Sequence, residues 1–434
     1  MVYSVSRRHF LAALGAFSAS PTLAAPPATT LRPVPRPQSV ALRAAPSVES
    51  LIKGSRLSGA VGFAVADPNT GTLQEGHGST TALPPASVTK SITALYALDK
   101  LGPNYRFQTR LIATGPIENG VLKGNLVLAG GADPTLNTDG LATLARKLKQ
   151  LGVNRVQGKF LIWARALPYQ RQIDSQQPDH VSYNPAISGL SLNFNRVHFE
   201  WKRAGQGWGV TLDARSERYR PEVASARMKV VKRSTPVYTY KDQSGIDHWT
   251  VASEALGNGG SRWLPVRHPE AYAADVFRTM ARSHGIVLDA GKTVQTLPGG
   301  SAIATHQSAA LQEILRGMLK YSTNLTAEMV GLVASNAGSS QATSLKASAQ
   351  KMNQWAKLNL GMSNPKLVDH SGLGDASRVT PKDMVMALSH PRARSALKPL
   401  LKNIVLRHSD GKPNTSHPLK VVAKTGTLNF ASTL

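Results

Sequence analysis

The stretch PPASVTKSITALYALDKLG, residues 84–102, begins an apolar helical pattern and carries a serine and a lysine three positions apart. Positions i and i+3 share one face of a helix, so Lys90 can direct its amine at the Ser87 hydroxyl. A neutral lysine there would be the base that a serine nucleophile needs, and free N–H groups at the helix start suit a developing oxyanion. Alone, this pattern is more often a helix cap beside a solvated lysine.

A second polar pattern, YSTNLTAEM at 321–329, lies inside a predicted helix. The hydroxyl of Ser322 and the amide of Asn324, separated by Thr323, can reach one pocket, where they would pass a proton and hold a substrate amide. Polar residues at a helix kink or cap are the structural alternative.

The third pattern, VVAKTGTL, lies in a predicted strand near the end of the chain. Lys424 and Thr425 would offer a cation and a hydroxyl to a carboxylate. Gly426 lets a ligand approach the backbone closely, and the N–H of Thr427 would be a second oxyanion donor, opposite that of Ser87. An ordinary edge-strand lysine is the alternative here.

In this order, the three patterns resemble those of penicillin-binding proteins and serine β-lactamases. About 235 residues separate Ser87 from Ser322, and most of them form short strand patterns, as in the low-molecular-mass class C penicillin-binding proteins, the D-alanyl-D-alanine carboxypeptidase/endopeptidase family. The stretches similar to that family are PASVTK (85–90), GGADPTL (130–136), SYNPAISGLSLNFNRV (182–197), YSTNLTAEM (321–329) and DHSGLGDASRVTP (369–381).

The resemblance implies a catalytic route. Ser87 would be acylated by the penultimate D-alanine of a peptidoglycan stem peptide, with Lys90 as general base, and water would hydrolyse the acyl-enzyme. Ser322 and Asn324 would relay the proton and position the substrate amide. The resemblance also implies acylation by β-lactam antibiotics and the need for no metal or cofactor. The residues that would bind substrate are Lys424, Thr425, Gly426 and Thr427 at the terminal carboxylate, and Asp133 at the free amine of the diamino acid.

The predicted fold class is α/β (α+β): a β-lactamase/transpeptidase-like domain with an antiparallel sheet flanked by helices, interrupted by a strand-rich inserted domain with a further nested domain. A hairpin around DPNTG, within residues 59–78, is predicted just before the first catalytic helix. The predicted domains are 48–105 with 305–434 for the catalytic part, 106–180 with 246–304 for the second domain, and 181–245 for the third.

The N-terminus is typical of an exported protein. SRRHFLAALGAFSAS at 6–20 has paired arginines and a short apolar run, similar to a twin-arginine signal in residues 1–25, with cleavage predicted after Ala24 or Ala25. A proline-rich linker follows at 26–47. We therefore expect a periplasmic protein, and its lack of cysteine excludes disulfides as the source of stability.

The chain has 51 Lys plus Arg and 25 Asp plus Glu, a formal net charge of +26. This excess favours an acidic cell-wall substrate or an anionic membrane face. The basic residues are not clustered with aromatic ones, which argues against a nucleic-acid partner.

Eight residues follow Gly426, whereas the resembled family continues with further strands and a helix. We therefore expect an exposed sheet edge and low stability of the 434-residue chain, with the motif residues intact. A β-lactamase is one rival function, although no Glu-bearing loop of the class A type follows Asn324. A weakly active or non-catalytic peptidoglycan-binding protein is the other.

Overall fold

The computed structural model describes residues 47–434, except residues 339 and 409. The predicted export signal and most of the predicted linker lie outside the described residues. The chain divides into two compact units, of which the first ends at Leu57 and the second is Ser58–Leu434. The fold described below is that of the second unit, apart from the short helix Val48–Gly54.

Eight α-helices are found in the described residues. In chain order they are α1 (Val48–Gly54), α2 (Thr89–Leu101), α3 (Thr138–Gln150), α4 (Pro269–Arg282), α5 (Leu311–Tyr321), α6 (Asn324–Asn336), α7 (Leu345–Leu360) and α8 (Pro381–Ser389). In this part of the chain, no helix is both long and apolar enough to cross a membrane.

Twenty strands accompany them in the same residues. They are β1 (Phe63–Ala66), β2 (Leu73–His77), β3 (Gln108–Ala113), β4 (Ile117–Glu118), β5 (Val121–Leu122), β6 (Leu126–Ala129), β7 (Arg155–Val156), β8 (Phe160–Trp163), β9 (Arg196–Ala204), β10 (Gly207–Asp213), β11 (Ala226–Val231), β12 (Tyr238–Gln243), β13 (Ile246–Ala252), β14 (Gly259–Pro265), β15 (Lys292–Val294), β16 (Ser301–Gln307), β17 (Lys402–Ile404), β18 (Val421–Ala423), β19 (Gly426–Leu428) and β20 (Ala431–Thr433).

The region between α2 and α5 is built on a mixed five-stranded sheet of order β15-β8-β6-β3-β16. β8 is parallel to both β15 and β6, whereas β3 is antiparallel to β6 and β16. The four residues of β6 are all buried, as expected of a central strand. Two three-stranded sheets, β10-β9-β14 and β11-β13-β12, come from residues that are nested within this region. One continuous apolar core joins these sheets with α3 and α4.

The segments on either side of that region share a different, mainly helical core. α2 lies at its centre and packs against α5, α6 and α7. Nine consecutive residues of α2, Thr89 to Ala97, are buried, which is typical of a helix surrounded by others. The strand pairs here, β1-β2, β17-β18 and β19-β20, are all antiparallel.

The mixed α/β class and the strand-rich interruption are therefore confirmed, as is the hairpin, which turns at Asp67–Gly71 between β1 and β2. The predicted domain boundaries remain a prediction. The positions of the two cores support its outer boundaries, since the strand-rich core begins at Leu111 and ends at Ala304. The predicted end of the third domain at 245 is not supported, because β13 and β14 lie beyond it and pair with β12 and β9.

Two local predictions are wrong. The helix predicted through YSTNLTAEM is interrupted, because Ser322 adopts the left-handed conformation (φ 58°, ψ 38°) between α5 and α6. The strand predicted through VVAKTGTL is also broken, since β18 ends at Ala423 and β19 begins at Gly426. At each interruption, polar side chains of a motif lie outside the regular elements: Ser322 between the two helices, and Lys424 and Thr425 between the two strands.

Candidate active site

Ser87 lies in a short 3₁₀ turn, Ala86–Val88, that leads directly into α2. The residue before it, Ala86, has a positive φ of 45°, an uncommon backbone conformation for alanine. The turn is held from outside as well. Gly372 (φ 73°) lies so close to the Ala86 carbonyl oxygen that a side chain at position 372 would collide with it. The sharp turn thus presents Ser87 at the start of a buried helix.

Lys90 is fully buried one turn further along α2. Its Nζ lies 2.9 Å from Ser87 Oγ and donates to Asn324 Oδ1 and to the Ser371 carbonyl oxygen, each at 2.8 Å. The lysine predicted as a base therefore points at the predicted nucleophile, and three separate segments orient its amine.

The electrostatic environment favours the neutral form of Lys90. Burial is the main cause that lowers its pKa, to about 7, and the nearby charge of Lys424 acts in the same direction. The carboxylates of Asp369 and Glu328 oppose this shift. A large fraction of Lys90 is therefore unprotonated near neutral pH and can accept the Ser87 proton.

The break between α5 and α6 brings Ser322 and Asn324 to the same place. Asn324 is the first residue of α6, and its amide bridges two segments, since Oδ1 accepts from Lys90 and Nδ2 donates to the Tyr183 carbonyl oxygen at 3.0 Å. Ser322 Oγ accepts a hydrogen bond of 2.9 Å from Lys424 Nζ. The Ser-x-Asn pattern thus links the Ser87–Lys90 pair to the end of the chain.

Lys424 is buried between β18 and β19, whereas Thr425 and Thr427 are exposed. Burial, helped by the charge of Lys402, lowers the pKa of Lys424 to about 8. Gly426 closely approaches the turn that carries Ser87. A Cβ at this position would lie 2.7 Å from the Ser87 nitrogen. β19 therefore approaches the Ser87 N–H as closely as only a glycine allows.

Two buried carboxylates support the site and were not among the predicted site residues. Glu328 accepts hydrogen bonds from the backbone N–H groups of His370 (3.0 Å) and Ser371 (2.8 Å). Asp369 accepts from Gly372 and from the N–H two residues further on, both at 2.6 Å. Burial raises the pKa of each, and the proximity of Asp369 raises that of Glu328 further. Together they hold the loop whose Ser371 carbonyl binds Lys90.

A sequence signal for Glu328 exists: it is the only charged residue in the apolar run NLTAEMVGLVAS, one helical turn after Asn324. Its partners on the loop 369–374 lie within DHSGLGDASRVTP, but nothing in that stretch indicates which carboxylate faces which N–H.

Asp133 is buried in a turn after β6. Its Oδ1 accepts from the N–H (2.8 Å) and the hydroxyl (2.7 Å) of Thr135, while Oδ2 is buried and has no hydrogen-bond partner in the described part of the chain. No hydrogen bond among the described residues joins it to the three motifs. The neighbouring Ala132 packs in one small cluster with Leu325 and Met329 of α6.

The fold and these side chains define a serine-type transpeptidase-like enzyme, with a Ser–Lys pair, a Ser-x-Asn break and a Lys-Thr-Gly strand meeting at one point. A family model described as the D-Ala-D-Ala carboxypeptidase 3 (S13) family matches residues 44–434, and the chain belongs to that family. The prediction of a serine-type D-Ala-D-Ala carboxypeptidase among the penicillin-binding proteins is thereby confirmed.

Two curated relatives illustrate the similarity. The D-alanyl-D-alanine carboxypeptidase DacB of Haemophilus influenzae is 25% identical over 389 residues, which cover 85% of this chain and 80% of the relative. The D-alanyl-D-alanine carboxypeptidase of Actinomadura sp. is 26% identical over 307 residues, 65% of this chain and 55% of the relative.

The fold is that of a solved structure as well. The crystal structure of penicillin binding protein 4 (dacB) from Haemophilus influenzae superimposes with a TM-score of 0.69 at 21% identity, covering 86% of this chain and 85% of that chain. The same protein complexed with a β-lactam gives a TM-score of 0.69, covering 88% and 87%. The shared fold is a transpeptidase-like domain with additional β-rich domains.

Proposed function

We propose that this protein removes the terminal D-alanine from peptidoglycan stem peptides, and cleaves their cross-links as a DD-endopeptidase, through an acyl-enzyme on Ser87. The observation that carries the proposal is the contact of 2.9 Å between the buried Lys90 amine and Ser87 Oγ. A lysine whose pKa is lowered to about 7 and whose amine contacts a serine hydroxyl has the geometry and the basicity for general-base catalysis.

Acylation starts when Ser87 Oγ attacks the carbonyl carbon of the penultimate D-alanine while Lys90 takes the hydroxyl proton. The carbonyl oxygen becomes an oxyanion, which the N–H groups of Ser87 and Thr427 stabilise. The close approach of Gly426 to the Ser87 nitrogen supports this pairing, because it brings the two donors to one place. Asn324 would hold the amide of the residue before the scissile bond.

The leaving D-alanine needs a proton on its amine as the C–N bond breaks. The hydrogen bond between Lys424 and Ser322 supports a relay through the Ser322 hydroxyl to that amine. Ser322 gives its hydroxyl proton to the amine and receives in its place, through this group of side chains, the proton that Lys90 took from Ser87, so that Ser322 and Lys90 both return to their starting state. Water then attacks the ester carbonyl with Lys90 again as base, and Ser87 is regenerated.

The terminal carboxylate of the peptide would bind at Thr425 and Thr427, whose side chains are exposed, with the charge of Lys424 behind them. Asp133 would face the free amine of the diamino acid. The support for this assignment is its Oδ2, a buried carboxylate oxygen without a hydrogen-bond partner among the described residues, which an ammonium group would satisfy.

Acylation by β-lactams follows from the same chemistry, since the strained amide meets the same nucleophile and its carboxylate the same threonines. A peptidoglycan substrate places the protein outside the cytoplasm, in keeping with a family of cell-wall enzymes. We further propose export to the periplasm by the twin-arginine route and peripheral contact with an anionic membrane surface.

The decisive experiment is labelling of the purified chain with fluorescent penicillin. We expect one label per chain at Ser87, lost in Ser87→Ala and kept in Ser91→Ala, which removes a serine one turn further along the same buried helix. Release of D-alanine from a D-Ala-D-Ala peptide should disappear with the label. Labelling that survives Ser87→Ala contradicts the proposal. Rapid turnover of penicillin, in place of a long-lived acyl-enzyme, would support a β-lactamase instead.

A further inference from the structure

A cavity adjoins the Ser322–Asn324 segment. It has a volume of about 110 Å³, and its walls include Tyr183, Phe194, Arg196 and Tyr321. The Asn324 amide connects this cavity with the active site, because its oxygen accepts from Lys90 and its nitrogen donates to the carbonyl oxygen of Tyr183. A substrate held by Asn324 therefore lies next to the cavity.

Arg196 is the charged group of this cavity, and it has no partner of opposite charge among the described residues. Its guanidinium carbon lies 5.1 Å from the ring centroid of Phe194 and 5.4 Å from that of Trp263. Its Nε is buried and donates no hydrogen bond to any described residue, and no carboxylate of residues 47–434 lies within 4.0 Å. Burial lowers the pKa of Arg196, and the opposing influence comes from the Tyr272 hydroxyl.

Two other arginines in this region have polar partners, although the Nε of Arg267, like that of Arg196, donates no hydrogen bond among the described residues. Arg215 donates to the carboxylates of Asp213 and Glu200. The guanidinium of Arg267, which is almost completely buried, donates to three backbone carbonyl oxygens. Because buried charges in proteins are normally paired, an arginine left without a counter-charge beside a cavity indicates an anionic ligand.

The geometry of Arg196 and the size of the cavity favour a carboxylate as the anion. A guanidinium offers two parallel N–H donors that match the two oxygens of a carboxylate, and the flanking aromatic rings keep it fixed for that purpose. The small volume admits a carboxylate with a short aliphatic stem. The terminal carboxylate of the peptide is already assigned to Thr425 and Thr427, so this second carboxylate belongs to the part of the peptide that Asn324 holds.

We propose that the cavity at Arg196 is a subsite for a side-chain or α-carboxylate of the stem peptide, N-terminal to the scissile bond. This inference rests on the proposed function, because it assigns a further contact to the same substrate. It predicts that the protein distinguishes peptides with a free carboxylate in that part from peptides in which the group is a carboxamide.

The test uses two synthetic peptides that end in D-Ala-D-Ala and differ only at one upstream glutamyl residue, which carries either a carboxylate or a carboxamide. For the unsubstituted protein, we expect KM to be at least about tenfold lower with the carboxylate peptide, the range of a charge-assisted bidentate contact. Arg196→Met should bring the two KM values together and leave the rate of labelling by penicillin unchanged. Arg196→Lys keeps the positive charge but loses the two parallel N–H donors of the guanidinium, so it should retain part of the difference between the two KM values.

Arg203→Met is the matched control. It removes another arginine of β9 that stacks on an aromatic ring, Trp208 at 4.4 Å, without lining the cavity, and it should keep the full preference for the carboxylate peptide. Equal KM values for the unsubstituted protein, or a preference that survives in Arg196→Met, would overturn the subsite. If neither peptide is hydrolysed, the proposed function fails. In that case, the affinities of both peptides for Ser87→Ala, measured by calorimetry, still test the subsite. Tighter binding of the carboxylate peptide supports it, and equal affinities overturn it.

Discussion

Lys90 is buried, yet every atom that its amine contacts is neutral: Ser87 Oγ, Asn324 Oδ1 and the Ser371 carbonyl oxygen. The charged groups around it divide into Lys424, which lowers its pKa, and Asp369 and Glu328, which raise it. Since burial adds to the first effect, the pKa falls to about 7 and the amine can work as a base at neutral pH.

A pH profile follows from these two lysines. Lys90 must be neutral to act as a base, so kcat/KM for D-alanine release should rise as the pH passes about 7. Lys424 must keep its proton to bind the carboxylate, so kcat/KM should fall again as the pH passes about 8. The maximum should lie between these values. Lys424→Arg, which stays charged, should remove the alkaline decline even if its overall rate is lower. A profile that is flat from about pH 6 to pH 9 would contradict these roles.

Gly426 is expected to be indispensable. In Gly426→Ala, the new methyl group would lie 2.7 Å from the Ser87 nitrogen and closer still to Thr433 Oγ1, so β19 must move away from the turn. Loss of one oxyanion donor typically lowers the rate by about 100- to 1,000-fold, and we expect a loss of penicillin acylation in that range. Stopped-flow acylation measures it.

Gly317→Ala serves as the control for that substitution. Gly317 lies within α5, where an added Cβ meets nothing within 4 Å. Acylation should be unchanged, and the free energy of unfolding should rise by about 0.5–1 kcal/mol, the gain for alanine over glycine inside a helix. Equal acylation rates in both alanine variants would show that the close approach of Gly426 has no catalytic role.

At the scale of elements, α6 organises the site because two of its residues hold different parts of it. Asn324 at its first position meets Lys90, and Glu328 one turn later binds the loop 369–374 through two backbone N–H groups. That loop in turn supplies the Ser371 carbonyl to Lys90. One helix thus positions Lys90 from two sides.

Glu328→Gln tests this arrangement. A carboxamide offers one acceptor oxygen where the loop presents two donors, so the loop shifts and acylation should fall about 10- to 100-fold. The shift of the loop also withdraws the Ser371 carbonyl oxygen from the Lys90 amine. Because that acceptor stabilises the charged form, the pKa of Lys90 should fall and the acid limb of the pH profile should move to lower pH. The shift of this limb separates an effect on the base from a general loss of stability.

Asp383→Asn is the matched control, because Asp383 is also a buried carboxylate that binds a backbone N–H, that of Ser363, outside the site. It should lower stability and leave the acid limb in place. An unshifted limb in Glu328→Gln, with wild-type acylation, would show that Glu328 does not position the base.

For the whole molecule, the net charge of +26 is the dominant electrostatic feature. We expect the protein to sediment with vesicles that contain anionic lipid and to stay in solution with neutral vesicles. Binding should vanish as the salt rises from about 0.1 M to 1 M, because the screening length falls from about 10 Å to about 3 Å. Equal sedimentation with neutral vesicles, or binding that resists salt, would rule out an electrostatic contact with the membrane.

The elements whose own residues show a regular apolar spacing or a turn motif were predictable from sequence. α2, α3 and α4 show apolar residues at helical spacing, and the hairpin of β1 and β2 has a turn sequence between two strand patterns, so short-range physics suffices. α8 was not predicted, since its apolar residues, Met384 to Leu388, are consecutive and show no helical period. The breaks at Ser322 and before Gly426 were missed for another reason: contacts from distant segments decide them.

By itself, the sequence determined which side chains are available for catalysis and in what order they occur: Ser87 with Lys90, then Ser322 with Asn324, then Lys424. Only the tertiary structure decided that they meet, because Lys424 bonds to a serine 102 positions earlier and Lys90 to a carbonyl 281 positions later. It also decided that Lys90 is buried and that Arg196 has no counter-charge among the described residues. Burial and the nearness of charges depend on packing between remote segments, which no local pattern encodes.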